Sequence, residues 1–234
     1  MNINDLPEFP DVVCLNYGHK ELLEDYFRRF PQDISEFNFT EIYVWRREKN
    51  TKVCRLNGNI CCYKSIGNDR YFYPPMGELK LKETIGHVLD WHKDRKLNAV
   101  FFGITSDLLV DIGKLDPRFL AAEDRNNADY LYLANDLANL RGRKYDGKRN
   151  RIRQFNDSYD YEYCALDGNL IRECVEFQEK WCDARSCSIH AGLSEENLAV
   201  RELLNSFGHL RVFGGAIKIN NKLEAFTLGG ELSG

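Results

Sequence analysis

The sequence predicts an α+β protein with mixed sheets, on three observations. Several segments repeat apolar residues at helical spacing, others alternate them over short strand-like runs, and the two kinds are interleaved. Both hairpin turns and strand–helix–strand units join them. Residues 19–30 read as an amphipathic helix with Leu22, Leu23, Tyr26, Phe27 and Phe30 on one stripe. A short helix holding Phe39, Ile42, Tyr43 and Arg46 follows. Residues 52–56, 60–65 and 70–73 read as strands, separated by Asn57-Gly58 and Gly67-Asn68 and stopped by Pro74-Pro75-Met76-Gly77. A helix over 79–95 carries Leu81, Ile85, Val88, Leu89 and His92 on one face, which makes His92 a core or rim histidine. A buried strand over 99–104 leads to Thr105 as the cap of a helix ending at Gly113, and strand-like runs recur at 118–121 and 130–133.

The second half opens with a basic helix around 148–156 and a strand over 161–166. Asp167 is placed to cap a helix whose stripe is Leu170, Ile171, Cys174, Val175, Gln178, Trp181 and Cys182. Ser194 is expected to cap the next, with Ala199, Val200, Leu203, Leu204 and Phe207 inward and Gly208 after its end. A hairpin over 211–228 turns at Asn220-Asn221-Lys222. Only residues 229–234 follow it, so its sheet is expected to close on an exposed edge.

The chain has 234 residues, 43% hydrophobic and 29% charged, an ordinary globular balance that argues against a disordered chain. No apolar run reaches the roughly 18 residues of a membrane span. Residues 1–13 lack the basic and apolar regions of a secretory leader, so a cytoplasmic location is expected. The eight cysteines fall inside apolar runs with no C-x-x-C pair, which predicts reduced, mostly buried thiols. Cys61 and Cys62, adjacent in a strand, should face opposite sides of it. The set Cys174, Cys182, Cys187 and His190 has no zinc-site spacing, and no metal or cofactor is predicted. Net charge is −4, yet residues 141–153 hold seven basic side chains against Asp146 alone, a local +6 that leaves −10 elsewhere.

Three blocks in this region belong together: Asp129-Tyr130-Leu131-Tyr132, Asp136 through Arg143, and Lys148-Arg149-Asn150-Arg151-Ile152-Arg153-Gln154-Phe155. With Ser35-Glu36-Phe37-Asn38-Phe39-Thr40, Tyr43-Val44-Trp45-Arg46, Pro75-Met76-Gly77, Gly214-Gly215 and Ala225-Phe226-Thr227-Leu228-Gly229, they resemble the C-terminal domain family of phosphatidylglycerol lysyltransferases. The likeness is closest to the soluble bacterial branch of that family and spans nearly the whole chain. It implies a tandem acyl-CoA N-acyltransferase fold, with one lobe over 1–157 and a second over 158–234, and a substrate channel between them. The family continues past Gly229, so the second lobe is expected to be truncated. The implied activity is transfer of an aminoacyl group from charged tRNA to a lipid, peptide or small-molecule acceptor.

At helical spacing Lys148, Ile152, Phe155 and Tyr159 share a stripe, which puts Lys148 at the edge of a buried face with Arg149 and Arg153 beside it. Such a helix is either a solvated basic face or a contact to tRNA or another anionic substrate. Lys148, Arg149 and Asn150 are the expected anchoring core, with Arg143 and Tyr130 beside them. Tyr130 and Tyr132, on alternate strand positions, would either pack or stack on a terminal base. Asp129 and Glu196 are carboxylates that could accept a proton in aminoacyl transfer. Glu196 matches a recurrent family glutamate, and a first-turn carboxylate also serves a helix dipole. No catalytic residue is assigned. Gly214-Gly215 runs into a hairpin rather than opening a helix, so it marks a bulge or a close backbone approach, not a phosphate loop. Two other classes remain: a non-catalytic RNA- or anion-binding module on the same fold, and a homodimer formed through the exposed sheet edge.

Overall fold

The computed structural model describes residues 1–115 and 120–232, with backbone alone at 111–115. The chain divides into two compact units, Met1–Ala122 and Glu123–Gly230. The first contains β1 (Val13–Cys14), α1 (Lys20–Arg29), α2 (Phe39–Val44), β2 (Lys52–Leu56), β3 (Asn59–Ile66), β4 (Asp69–Phe72), α3 (Leu81–Asp94), β5 (Asn98–Phe101) and α4 (Ser106–Leu115). The second contains α5 (Ala134–Asn139), α6 (Asp146–Ser158), β6 (Tyr161–Ala165), α7 (Gly168–Ala184), α8 (Ala191–Asn205), β7 (Val212–Ile219) and β8 (Lys222–Gly230). Within the second unit Phe155 of α6 packs on Tyr161 of β6, ring centroids 5.0 Å apart.

The first sheet runs β1-β2-β3-β4-β5. Asn57 and Gly58 both lie in the left-handed region (φ 53° and 82°), the backbone that a two-residue hairpin needs, so β2 and β3 pair antiparallel. β4 and β5 pair parallel, across the α3 crossover, which makes the sheet mixed. The two-residue pleat then sorts side chains. Cys54, Leu56, Cys61 and Phe72 turn to one face and form a core with Phe9 and with Val88 of α3. Val53 and Cys62, both sealed, turn to the other with the half-buried Lys64. Cys61 and Cys62 thus do face opposite sides. A hydrogen bond between the Cys61 thiol and Cys54, then burial, raises the Cys61 thiol well above its ordinary range, and burial raises Cys62, so both stay protonated and inert at neutral pH. His92 is a core residue, 3% exposed, with Nδ1 2.7 Å from the Val88 carbonyl oxygen.

The second sheet, β6-β7-β8, is wholly antiparallel. Leu166, Leu170, Cys174, Leu204, Ala216 and Leu223 form the core between it and α7 and α8. Asp167 caps α7 as expected, accepting from the amides of Asn169 (2.9 Å) and Leu170 (3.1 Å). The β7–β8 turn is made by Asn220 and Asn221 (φ 52° and 60°). At Gly214 a Cβ would meet the Thr227 carbonyl and Leu166, and at Gly215 the Tyr163 ring. The glycine pair therefore marks a close approach, while the register shift falls later, at Ile217/Lys218.

Several expectations fail. Residues 130–133 form no strand: they precede α5 without a ladder partner, and Tyr130, Leu131 and Leu133 are exposed. α8 begins at Ala191, fed by a 3-10 turn at Cys187–Ile189, so Ser194 lies inside its first turn, bonding back to the His190 carbonyl (2.9 Å), and is no cap. The helix ends at Asn205 with Ser206 as its cap, ahead of Gly208. Cys182 and Cys187 are joined in a disulfide, Cα atoms 5.2 Å apart, so not all thiols are free. β5 stops at Phe101, before Gly103 (φ 65°), and α4 continues past Gly113 to Leu115. Of the run 118–121, residues 118–119 lie outside the described residues and 120–121 are not strand.

Gly77 (φ 144°) sits against the side chain of Asn59, where a Cβ would collide with the amide. Asn59 is fully buried and donates to the Leu79 carbonyl (2.6 Å) and Thr84 Oγ1 (3.0 Å), tying β3 to the start of α3. Gly77→Ala is predicted to cost about 2–4 kcal/mol through backbone strain and loss of this tie, read as a lowered Tm.

Candidate anion-binding site

The basic segment is built as a short helix, a tight turn and a longer helix. α5 ends with Leu140 in the left-handed conformation (φ 48°), and Gly142 (φ 92°) admits the 3-10 turn Arg143–Tyr145 that opens α6. Arg149, one turn into α6, reaches back across this junction. Its guanidinium donates to the Leu140 carbonyl and, at 3.0 Å, to the Gly142 carbonyl, and pairs with Asp146. It thereby satisfies the carbonyl of Leu140, the cap of α5, and adds a second donor to the Gly142 carbonyl, which also accepts from the Tyr145 amide (3.1 Å). Asp136 of α5 makes the second tie, accepting from Lys144 Nζ (2.9 Å) and from the hydroxyl of the buried Tyr145 (3.4 Å). The Lys144 hydrogen bond holds the Asp136 carboxyl below its ordinary range, and the same bond raises Lys144.

The remaining cations are left outward. Among the described residues Arg141, Arg143, Lys148 and Arg151 meet no hydrogen-bond or ion-pair partner, and all four are exposed. Arg153 spends one donor on Asn150 Oδ1 (3.3 Å). Helical periodicity sets Lys148 and Arg151 on the side of Ile152 and Phe155, away from Arg149, Asn150 and Arg153. The expected buried edge beside Lys148 does not exist: Ile152 is 50% exposed, and of that stripe Phe155 alone is partly covered, by Tyr159 and Tyr161.

The structure thus brings Arg143, Lys148, Arg149 and Asn150 into one segment but gives them different tasks. Arg149 and Asn150 are spent on local ties, whereas Arg143 and Lys148 are open to a ligand. Tyr130 (88% exposed) and Glu196 make no hydrogen bond, ion pair or ring contact among the described residues. With α8 starting at Ala191, Glu196 falls in the second turn, too far along to serve the helix dipole. Sequence reasoning missed Asp136 and Tyr145 as the scaffold, and Arg151 as a free cation. Arg151 was readable from its place three residues beyond Lys148, while the Asp136–Lys144 tie crosses a turn that carries no local signal. Among the described residues no three His, Cys, Asp or Glu side chains gather as metal ligands, and no helix is long and apolar enough to cross a membrane.

Comparison with known proteins gives two findings. A family model described as phosphatidylglycerol lysyltransferase, C-terminal, matches residues 27–234. The crystal structure of a conserved protein of unknown function from Bacteroides thetaiotaomicron VPI-5482 superposes with a TM-score of 0.86 at 27% identity, covering 94% of this chain and 75% of that one. No curated protein matches the chain.

Two predictions follow from the division of tasks. Arg149→Ala should raise amide hydrogen exchange across residues 142–149 about five- to tenfold, whereas Lys148→Ala should leave it unchanged. Asp136 should titrate below the ordinary aspartate range by NMR. Because its folded pKa is depressed, the tie is present above the unfolded pKa and is lost as pH falls through the folded one, and Asp136→Asn should remove this acid-side dependence of the α5–α6 turn.

Proposed function

The chain belongs to the phosphatidylglycerol lysyltransferase C-terminal family, and from that premise we propose that it transfers an aminoacyl group from a charged tRNA to an amine- or hydroxyl-bearing acceptor. The single observation that carries this reading is the free cationic face of α6, presented by a chain whose family match covers nearly all of it. Two acyl-CoA N-acyltransferase-like lobes and a cytoplasmic location complete the proposal. In the reaction the acceptor nucleophile attacks the ester carbonyl, loses its proton, and the 3′-hydroxyl of the tRNA departs with a proton. Such a transfer needs two substrates held in line and donors at the developing oxyanion, and no covalent link to the protein.

Lys148 and Arg151, with Arg141 and Arg143 at the turn before them, supply phosphate contacts. Each contact neutralises a phosphate and releases condensed cations, so binding falls steeply with salt. Arg149 contributes by keeping the α5–α6 junction in place, not by touching the donor.

The test is equilibrium binding of tRNA across a salt series. Lys148→Ala/Arg151→Ala is expected to weaken affinity at least tenfold and to lower the slope of log K against log salt by about 2. Wild-type binding that is absent at low salt, or a slope unchanged in the double variant, would sink the proposal.

A further inference from the structure

Of the eight cysteines expected as thiols, Cys182 and Cys187 are the two that the structure joins. Their bond links the last turn of α7 to the 3-10 turn that feeds α8, across a sequence separation of 5. The corner between them is tight: the Ser186 amide donates to the Asp183 carbonyl (3.1 Å), and Ser186 takes a left-handed backbone (φ 52°). Cys54 and Cys61 also stand opposite each other, across β2 and β3, yet they remain thiols inside the core of the first sheet.

The structure that this disulfide holds is small. Between Asp183 and Leu198 the one buried side chain is Cys187, with Leu193, Ser194, Glu195 and Asn197 partly covered. Farther along the helix pair, Gln178 Nε2 donates to Asn197 Oδ1 (3.2 Å) and Glu179 pairs with Arg201 (3.2 Å). Beyond these ties Leu170, Cys174 and Leu204 pack in the core against the second sheet. Both helices are therefore anchored without the disulfide, and the corner ahead of Asn197 is not. So short a loop also removes little entropy from the unfolded chain, so the bond orders the corner more than it stabilises the unit. A segment with so few buried contacts opens locally at low cost.

The two sulfurs differ in what must move to expose them. Cys182 lies in a helix of 17 residues, one turn beyond the buried Gln178. Cys187 lies in a 3-10 turn of 3 residues, followed by the exposed Ser188, Ile189 and His190. Opening the corner uncovers Cys187 first. We propose that Cys182–Cys187 is a thiol–disulfide exchange site for a low-molecular-weight thiol, that Cys187 is the sulfur that exchanges, and that reduction releases the α7–α8 corner. In the reducing direction the thiolate of one small molecule attacks Cys187 Sγ. The protein S–S bond breaks, and Cys182 leaves as a thiolate that takes up a proton. A second small thiolate attacks its counterpart sulfur in the mixed disulfide, and Cys187 leaves as a thiolate and is protonated. The two small thiols depart as their own disulfide, having passed two electrons to the protein, and that disulfide drives the same steps in reverse.

Glutathione is the probe, with the full chain, alkylation and mass spectrometry. Excess reduced glutathione should convert the pair to two alkylatable thiols, and glutathione disulfide should restore the bond, while Cys54, Cys61 and Cys62 stay unmodified. Amide exchange over residues 186–194 should rise about tenfold or more in the reduced chain, with β6, β7 and β8 unchanged. Cys182→Ser incubated with glutathione disulfide should collect the adduct on Cys187 about tenfold or more faster than Cys187→Ser collects it on Cys182. Protected β6–β8 amides in each variant report that the unit is folded, and the comparison of oxidised and reduced wild type needs no substitution. A bond that survives excess reduced glutathione, equal exchange in the two forms, or equal adduct rates in the two variants overturns the proposal.

Discussion

The Arg149 guanidinium, shared between the Leu140 and Gly142 carbonyls and the Asp146 carboxylate, determines what the basic segment can do. A helix end exposes carbonyls, and a cation spent on them is lost to any ligand. One arginine closes the α5–α6 junction and one lysine ties back to Asp136, which leaves Arg141, Arg143, Lys148 and Arg151 without partners among the described residues. Salt bridges on an open surface contribute little to stability. Their value here is positional: they fix the start of α6, and helical periodicity then carries Lys148 and Arg151 to the opposite side.

A comparable economy appears in the first unit. The pleat of β3 alternates Cys61, Tyr63 and Ser65 with Cys62 and Lys64, so a strand whose first residues are sealed on both faces carries a lysine out of the core along one of them. Phe102 lies under the ammonium and Tyr73 beside it, which desolvates the lysine without pairing it.

Much of the fold was legible in the sequence because its signals are local. Asn57-Gly58 and Asn220-Asn221 adopt the left-handed conformations that their hairpins require, Asp167 caps α7, and the stripes of α1, α3 and α7 bury their apolar residues. The misses share a cause. Tyr130 and Tyr132 alternate as a strand does, but alternation makes a strand only where a neighbouring ladder exists, and none is at hand. Ser194 has a capping side chain, but the 3-10 turn after Cys187 started the helix earlier. The stripe through Lys148 and Ile152 has helical period, but period alone does not say that anything covers it. In the candidate site Lys148 and Arg143 were readable from charge density, whereas the role of Arg149 as a clamp depends on a turn geometry that only the folded chain reveals.

The central claim is that the unpaired cations of α6, and not those spent on the α5–α6 junction, contact the donor. The most direct measurement compares the tRNA affinity of Lys148→Ala with that of Lys144→Ala, whose ammonium is held by Asp136, at one low salt concentration. The account predicts that Lys148→Ala weakens binding about threefold or more and Lys144→Ala much less. Equal affinity of the two variants would contradict it.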